Sequence, residues 1–228
     1  MNVKTFVVFP SASPSRAATA VEKWRDMGYQ AAVYFNPGTP ENCGAYQVWH
    51  GAYKGYWDAC NYMAHNLVNG SEQAQIVIFA ADDIDPDPNH PMSEIAGEFA
   101  ERFPDFFGVM QPCGDKQGID KSGKPAAARI CGSPWIGAGW VKNAYGGRGP
   151  TNPDYFHFYG DEELFHVAER YGVLWMRPDL LHFHHHWSWG HSQQQPYQKR
   201  NSDGHWEKDK ALYQARAAAG FSGSGRLV

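Results

Sequence analysis

Apolar residues along the chain alternate between short continuous runs and longer stretches of helical spacing. Val3 to Phe9 is β-branched and aromatic, and predicts a strand buried on both faces, as in a parallel sheet. Beyond Pro10 to Pro14, Ala17, Ala20, Val21, Trp24 and Met27 keep helical spacing and predict a helix from about Ser15 to Met27, stopped by Gly28. Ala31 to Phe35 reads as a second strand, closing one βαβ unit. Residues 36 to 53 read as loop. Tyr56 to Val68 reads as a helix with Trp57, Cys60, Met63, Ala64 and Leu67 on one side. Ile76 to Ala81 is a third buried run, broken abruptly by Asp82-Asp83-Ile84-Asp85-Pro86. A helix around Ser93 to Phe103 and a strand around Phe106 to Gln111 follow.

The second half is less regular. Pro112 to Lys124 is polar and Gly-rich and reads as a mobile loop, and Arg129 to Trp140 is aromatic without a clear period. A helix is expected from about Asp161 to Tyr171, closed by Gly172. Short strands follow at Val173 to Met176 and Leu180 to His186, then a helix from about His205 to Ala219 and a frayed Gly/Ser-rich tail. The alternation predicts an α/β fold: one compact domain with a mostly parallel sheet flanked by helices. Its expected parts are a nucleotide-binding half over 1–111, a second half over 112–220 and a flexible tail over 221–228. No internal repeat is visible.

Composition narrows the picture. With 43% apolar and 19% charged residues, and with 13 Phe, 9 Trp and 12 Tyr among 228 residues, the chain has ample material for a core, which excludes a disordered protein. A net charge of −4 without a Lys/Arg run argues against a protein held on nucleic acid by phosphate neutralisation alone. No apolar stretch nears the roughly 20 residues that span a bilayer, and Met1 to Arg16 lacks a signal core. A soluble cytoplasmic protein without a membrane partner is expected. Cys43, Cys60, Cys113 and Cys131 form no CxxC pair and read as reduced, packed thiols.

Three segments carry chemistry. Asp82, Asp83 and Asp85 crowd three mutually repelling carboxylates at the end of a buried strand, where ligands bind in open α/β sheets and where a cation would offset the repulsion. A solvated acidic turn is the plain alternative. Leu180 to His191 holds five of the eleven histidines. Alternation on a strand sends His182, His184 and His186 to one side and His185 to the other, so two imidazoles can converge on a divalent ion or simply stack among aromatics. Asp161, Glu162 and Glu163 occupy the first turn of a helix, which the helix dipole alone explains. A catalytic base there would gain strength from burial or from a neighbouring acid.

Other phosphate motifs are missing: Gly137-Ala138-Gly139 lacks the third glycine of a dinucleotide fingerprint, and neither a Walker A sequence nor a Gly-x-Ser-x-Gly elbow occurs. The aromatic segments Trp135 to Trp140, Tyr155 to Tyr159 and Trp187 to Trp189 could fill a core or stack on a sugar or nucleobase. Arg129, Lys142, Arg148, Lys199 and Arg200 could line a groove for nucleic acid.

The Pro-Ser-x-Ser-Pro-Ser-Arg loop after the first strand, the DxD, the Gly-Asp-Glu-Glu-Leu helix start and the late His-rich strand occur in this order. Together they resemble the GT-A class of nucleotide-sugar glycosyltransferases, particularly the small inverting GT2-like enzymes of phage and bacterial genomes, over most of residues 3 to 190. The resemblance implies a GT-A type Rossmann-like sheet and a nucleotide-sugar donor, UDP-linked by preference. It implies a Mn²⁺ or Mg²⁺ ion held by Asp83, Asp85 and His184, with His186 second. Asp82 would touch ribose or sugar, and Asp161 or Glu162 would be the base. Pro10, Ser11 and Arg16 would contact the nucleotide, and Lys54 and Asn61 lie in a region that assists. The implied acceptor is a glycan or a hydroxymethylated DNA base. Two readings compete: an Asp/His metallohydrolase acting on a phosphoester, and a non-catalytic nucleotide or glycan-binding module.

Overall fold

The protein is described here from a computed structural model, which covers residues 3–40, 42–113, 129–185, 192–193, 199 and 203–224. The expected loop after Cys113, and His186, Trp187, Trp189 and Arg200, lie outside the described residues.

The expected α/β class holds. Among the described residues, seven strands form a mostly parallel sheet: β1 (Thr5–Pro10), β2 (Gln30–Phe35), β3 (Gln47–His50), β4 (Ile76–Phe79), β6 (Val109–Pro112), β7 (Trp135–Gly137) and β8 (Leu174–Arg177), in the order β3-β2-β1-β4-β7-β6-β8. β7 alone runs antiparallel to its neighbours β4 and β6. A separate two-stranded ribbon pairs β5 (Ile84–Asp85) with β9 (Phe183–His184). The helices are α1 (Pro14–Asp26), α2 (Tyr56–Asn69), α3 (Met92–Arg102), α4 (Ala138–Asn143), α5 (Gly160–Arg170) and α6 (His205–Ala218).

Side-chain alternation on the strands divides the core into two layers. Phe6, Val8, Val77 and Phe79 face α2, α4 and α5. Val7, Phe9, Ile76 and Ile78 face α1 and α3. β1 is therefore apolar at every central position, as the sequence predicts for a strand covered on both sides. Pro10, which cannot donate a ladder hydrogen bond, stands at its last position. α1 starts as its sequence indicates: Pro14 sits in the first turn, and the Ser13 side chain accepts from the Arg16 backbone N–H at 3.4 Å.

Three expectations change. Residues 47–50 form an edge strand where the sequence reads as loop, because Gln47-Val48-Trp49-His50 is too polar to show a buried run. β7 is a three-residue strand in the middle of the sheet, too short for any period to register. Of the strand expected over Leu180 to His186, only Phe183 and His184 are paired among the described residues 180–185, and their partner is the acidic loop rather than the main sheet. No described helix is long and apolar enough to cross a membrane. Cys43, Cys60 and Cys131 are buried free thiols and Cys113 is half-buried, consistent with packing residues.

Phe221 to Ser224 pack against the body. Ser224 is buried, its hydroxyl 2.7 Å from an Arg216 guanidinium nitrogen that donates to it, and its carbonyl accepts from the Tyr145 N–H at 3.3 Å.

Candidate active site

The carboxyl ends of β1, β2 and β4 converge, and the loops leaving them build the site. Ser11, the first residue after β1, is anchored by its N–H to the Tyr34 carbonyl at 3.0 Å, and its hydroxyl donates to Asp82 Oδ2 at 2.6 Å. Arg16, on the first turn of α1, reaches Asp82 Oδ1 at 2.7 Å and Asp83 Oδ2 at 3.6 Å. Two of the three crowded carboxylates thus share one guanidinium.

The third is held separately. Lys23 Nζ lies 2.8 Å from each Asp85 oxygen, and His185 Nε2 is 2.8 Å from Oδ2. The β5–β9 ribbon sets Ile84 opposite His184 and brings the His185 N–H to the Asp83 carbonyl at 2.8 Å. This pairing places His184 Nε2 3.3 Å from Asp83 Oδ1. The acidic loop and the histidine strand therefore meet, while Asp85 turns to Lys23 and His185. Among the described residues no group of three or more His, Cys, Asp or Glu side chains is close enough to hold a metal ion.

Buried Asp87, which the sequence reading passed over, locks the ribbon in place. It accepts the N–H groups of Asn89 (2.7 Å), His90 (3.2 Å) and Leu181 (2.7 Å), tying the acidic loop to the residue two before β9. Burial works against its ionised form, but these donors and His90 outweigh it and hold its pKa below the ordinary value. His182 serves packing instead of ligation. It is buried between Trp24, edge-on at 5.2 Å, and Trp135, whose indole N–H points at Nε2 from 3.4 Å; Nδ1 is 3.0 Å from the Ser133 hydroxyl. Burial pushes its pKa down to about 4, so the ring is neutral.

Beside Ser11 and Asp82 opens a cavity of about 290 Å³. Tyr34, Tyr53, Tyr56, Phe156 and His205 supply aromatic walls, while Ser11, Asn36 and Asp82 supply polar edges, and Pro10 also lines it. His205 lies flat on Phe156, ring centroids 3.6 Å apart. Two features fix this wall. Asp209 of α6, itself buried, accepts the N–H groups of Phe156, His157 and Phe158 at 3.0, 2.9 and 2.8 Å. Gly55, at φ 130°, lets the backbones close so that the Tyr56 N–H reaches the Phe156 carbonyl at 2.7 Å; a Cβ there would meet that oxygen at 2.4 Å.

Asp161 and Glu162 open α5 beyond Tyr56. Tyr159 precedes them at φ 64°, a left-handed conformation unusual for an aromatic residue. The helix N-terminus favours ionised carboxyls, but burial wins and raises Asp161 above its ordinary range. Glu162 is raised by burial and then by the charge of Asp161, with Arg129 opposing. The field of Asp161 also reaches Tyr56, which burial and Cys60 raise in the first place. Glu163 is fully buried and structural: Arg216 grips both its oxygens at 2.7 Å and the Tyr155 hydroxyl donates to it at 2.7 Å.

Pro10, Ser11 and Asp82 thus line the cavity, and Arg16 and Asp83 adjoin it through the acidic loop. Lys54 is exposed, next to the cavity residue Tyr53. Asn61 faces elsewhere: it is buried in α2, and its amide donates to the Thr151 carbonyl (3.0 Å) and accepts from the Thr151 hydroxyl (2.9 Å). Trp135, Trp140 and Tyr155 belong to the core. Phe156 falls in the Tyr155 to Tyr159 segment singled out above, whereas Tyr34, Asn36, Tyr53, Tyr56, His205 and Asp209 were missed, because nothing in their spacing marks residues that only the fold assembles.

No known protein-family profile matches the chain, and no curated protein matches it. Among solved structures it is similar to a mutant Drosophila β-1,4-galactosyltransferase 7 in complex with manganese, UDP-Gal and xylobiose, at 11% identity and a TM-score of 0.48, over 88% of this chain and 80% of that one. It is also similar to a UDP-glucose pyrophosphorylase complexed with UDP-glucose, at 10% identity and a TM-score of 0.39, over 94% of this chain and 100% of that one. These distant likenesses concern the course of the chain and say nothing of its site.

Proposed function

We propose that the protein is a nucleotide-sugar-dependent glycosyltransferase. Within that class it is a metal-dependent, inverting enzyme that takes a sugar from a UDP-sugar to an acceptor hydroxyl of a glycan or a modified DNA base. The observation that carries this reading is the β5–β9 junction, which joins Asp83 to His184 at 3.3 Å, next in the chain to Asp82, which lines the aromatic cavity.

The parts divide the work. The aromatic walls suit a planar base, and Asn36, Ser11 and Asp82 suit its polar edge and the ribose hydroxyls. Asp83 and His184 would supply an oxygen and a nitrogen donor to Mn²⁺, with Mg²⁺ second because it prefers oxygen alone; Asp85 would join them on leaving Lys23 and His185. Such an ion, when bound, supplies positive charge against the departing diphosphate. Arg16 adds a fixed cation beside the same acids. Asp161 or Glu162 takes the acceptor's hydroxyl proton as its oxygen bonds to the anomeric carbon. The bond from that carbon to the diphosphate breaks with its electron pair on the nucleoside diphosphate. With base and leaving group on opposite sides, configuration inverts.

Incubation with a panel of nucleotide sugars, with and without Mn²⁺, tests the class. Nucleoside diphosphate release that requires the cation is expected. Zn²⁺-dependent phosphoester cleavage without nucleotide preference would replace this reading with a metallohydrolase, and binding without turnover would replace it with a binding module.

A further inference from the structure

We propose that Trp206, with Phe158 and Tyr159, forms the acceptor platform and that its occupant is a neutral saccharide; this rests on the transferase reading above. Trp206 is 43% exposed, whereas Trp24, Trp135 and Trp140 are completely buried. Its ring sits 4.8 Å from that of Phe158 and 5.2 Å from that of Tyr159, which continues to Tyr213 at 5.2 Å. Phe158, Tyr159 and Tyr213 are half-buried, so the exposed Trp206 ring is the open end of a braced aromatic cluster, a surface available to a ligand.

Its location specifies which ligand. His205, the neighbour of Trp206, lies on Phe156 in the cavity wall, and Tyr159 stands two residues before Asp161. The platform is thus continuous along the chain with the cavity wall and with the start of α5, which carries the two candidate base carboxyls. Asp209, one helical turn after Trp206, fixes the Phe156–Phe158 backbone to α6, so the rings on both elements are held together.

Charge selects the occupant. An indole face can stack on a nucleobase or on the C–H face of a sugar ring. Asp161 and Glu162 stand in the first turn of α5, just after Tyr159, and Glu207 follows Trp206 in the first turn of α6; among the described residues, these three acids supply the charges that act on Tyr159. A polynucleotide would carry its phosphates into that negative field, whereas nucleic-acid sites set Lys and Arg there. A neutral sugar ring meets no such repulsion, and its hydroxyls can donate to carboxylates.

Two readouts on the full chain separate this proposal from the donor reading. Thermal stabilisation by UDP-glucose or UDP-galactose with Mn²⁺ reports the donor site. An array of neutral oligosaccharides, probed beside a single-stranded oligonucleotide, reports the platform. The expected result is binding of a neutral oligosaccharide that falls at least tenfold in Trp206→Ala and is largely kept in Trp206→Phe, both variants retaining the wild-type circular dichroism. Preferential oligonucleotide binding, the absence of any neutral glycan binding, or glycan binding indifferent to Trp206→Ala overturns the proposal. If only the UDP-sugar arm fails, the donor reading falls and the platform stands on its glycan result.

Discussion

Asp161 and Glu162 sit where a helix dipole favours the ionised carboxyl and burial opposes it, and burial prevails at both. A raised pKa makes a carboxylate a better proton acceptor, and it also makes ionisation costly to the fold. Between the unfolded and folded pKa values the native state binds more protons than the unfolded one, so this contribution to stability is lost as pH rises through the folded value. Asp161→Asn is therefore expected to raise the melting temperature relative to wild type, by more at pH 7 than at pH 4. Of Asp161→Asn and Glu162→Gln, one is expected to cut turnover by about 10²- to 10⁴-fold. If Glu162 is the base, Asp161→Asn keeps turnover and moves the acidic limb of the pH–rate profile down, because the neighbouring negative charge is gone. Full activity in both variants would remove the base from this helix. The carboxyl pair was legible in the sequence as Gly-Asp-Glu-Glu-Leu; the burial that changes its chemistry was not, since it comes from elements distant in the chain.

The elements that build the site differ in how plainly they show in the sequence. β1, α1, β2, α2 and β4 follow from continuous or helical apolar spacing, because each buries a whole face. β3, β7 and the β5–β9 ribbon are two to four residues long, and their pairing is decided by partners that no local period reveals. Asp87 is the clearest case: no motif or period singles it out, and in the structure it is buried and ties the acidic loop to Leu181. Asp87→Ala strands three backbone donors and is expected to cost roughly 2–3 kcal/mol in chemical denaturation. It should also weaken cation-dependent donor binding, since the ribbon that aligns Asp83 with His184 loses its anchor. A loss below about 0.5 kcal/mol would show that the ribbon holds its register without it.

Across the whole molecule, the sheet carries the loops of β1, β2 and β4 to one edge, β9 closes that edge from the acidic side, and α6 closes it from the aromatic side. The acid and histidine halves of the site were visible as motifs because each is contiguous. The aromatic cavity draws on the β1, β2 and β4 loops, α2, the Phe156 loop and α6, so only the folded chain assembles it. The account depends on the acid loop and the histidine strand acting together on one cation and one nucleoside diphosphate. Mn²⁺ binding in the presence of UDP, followed by electron paramagnetic resonance of the free ion, tests this most directly. One Mn²⁺ per wild-type chain is predicted, with affinity reduced at least tenfold in both Asp83→Ala and His184→Ala; binding that is absent in the wild type, or equal in all three proteins, would contradict it.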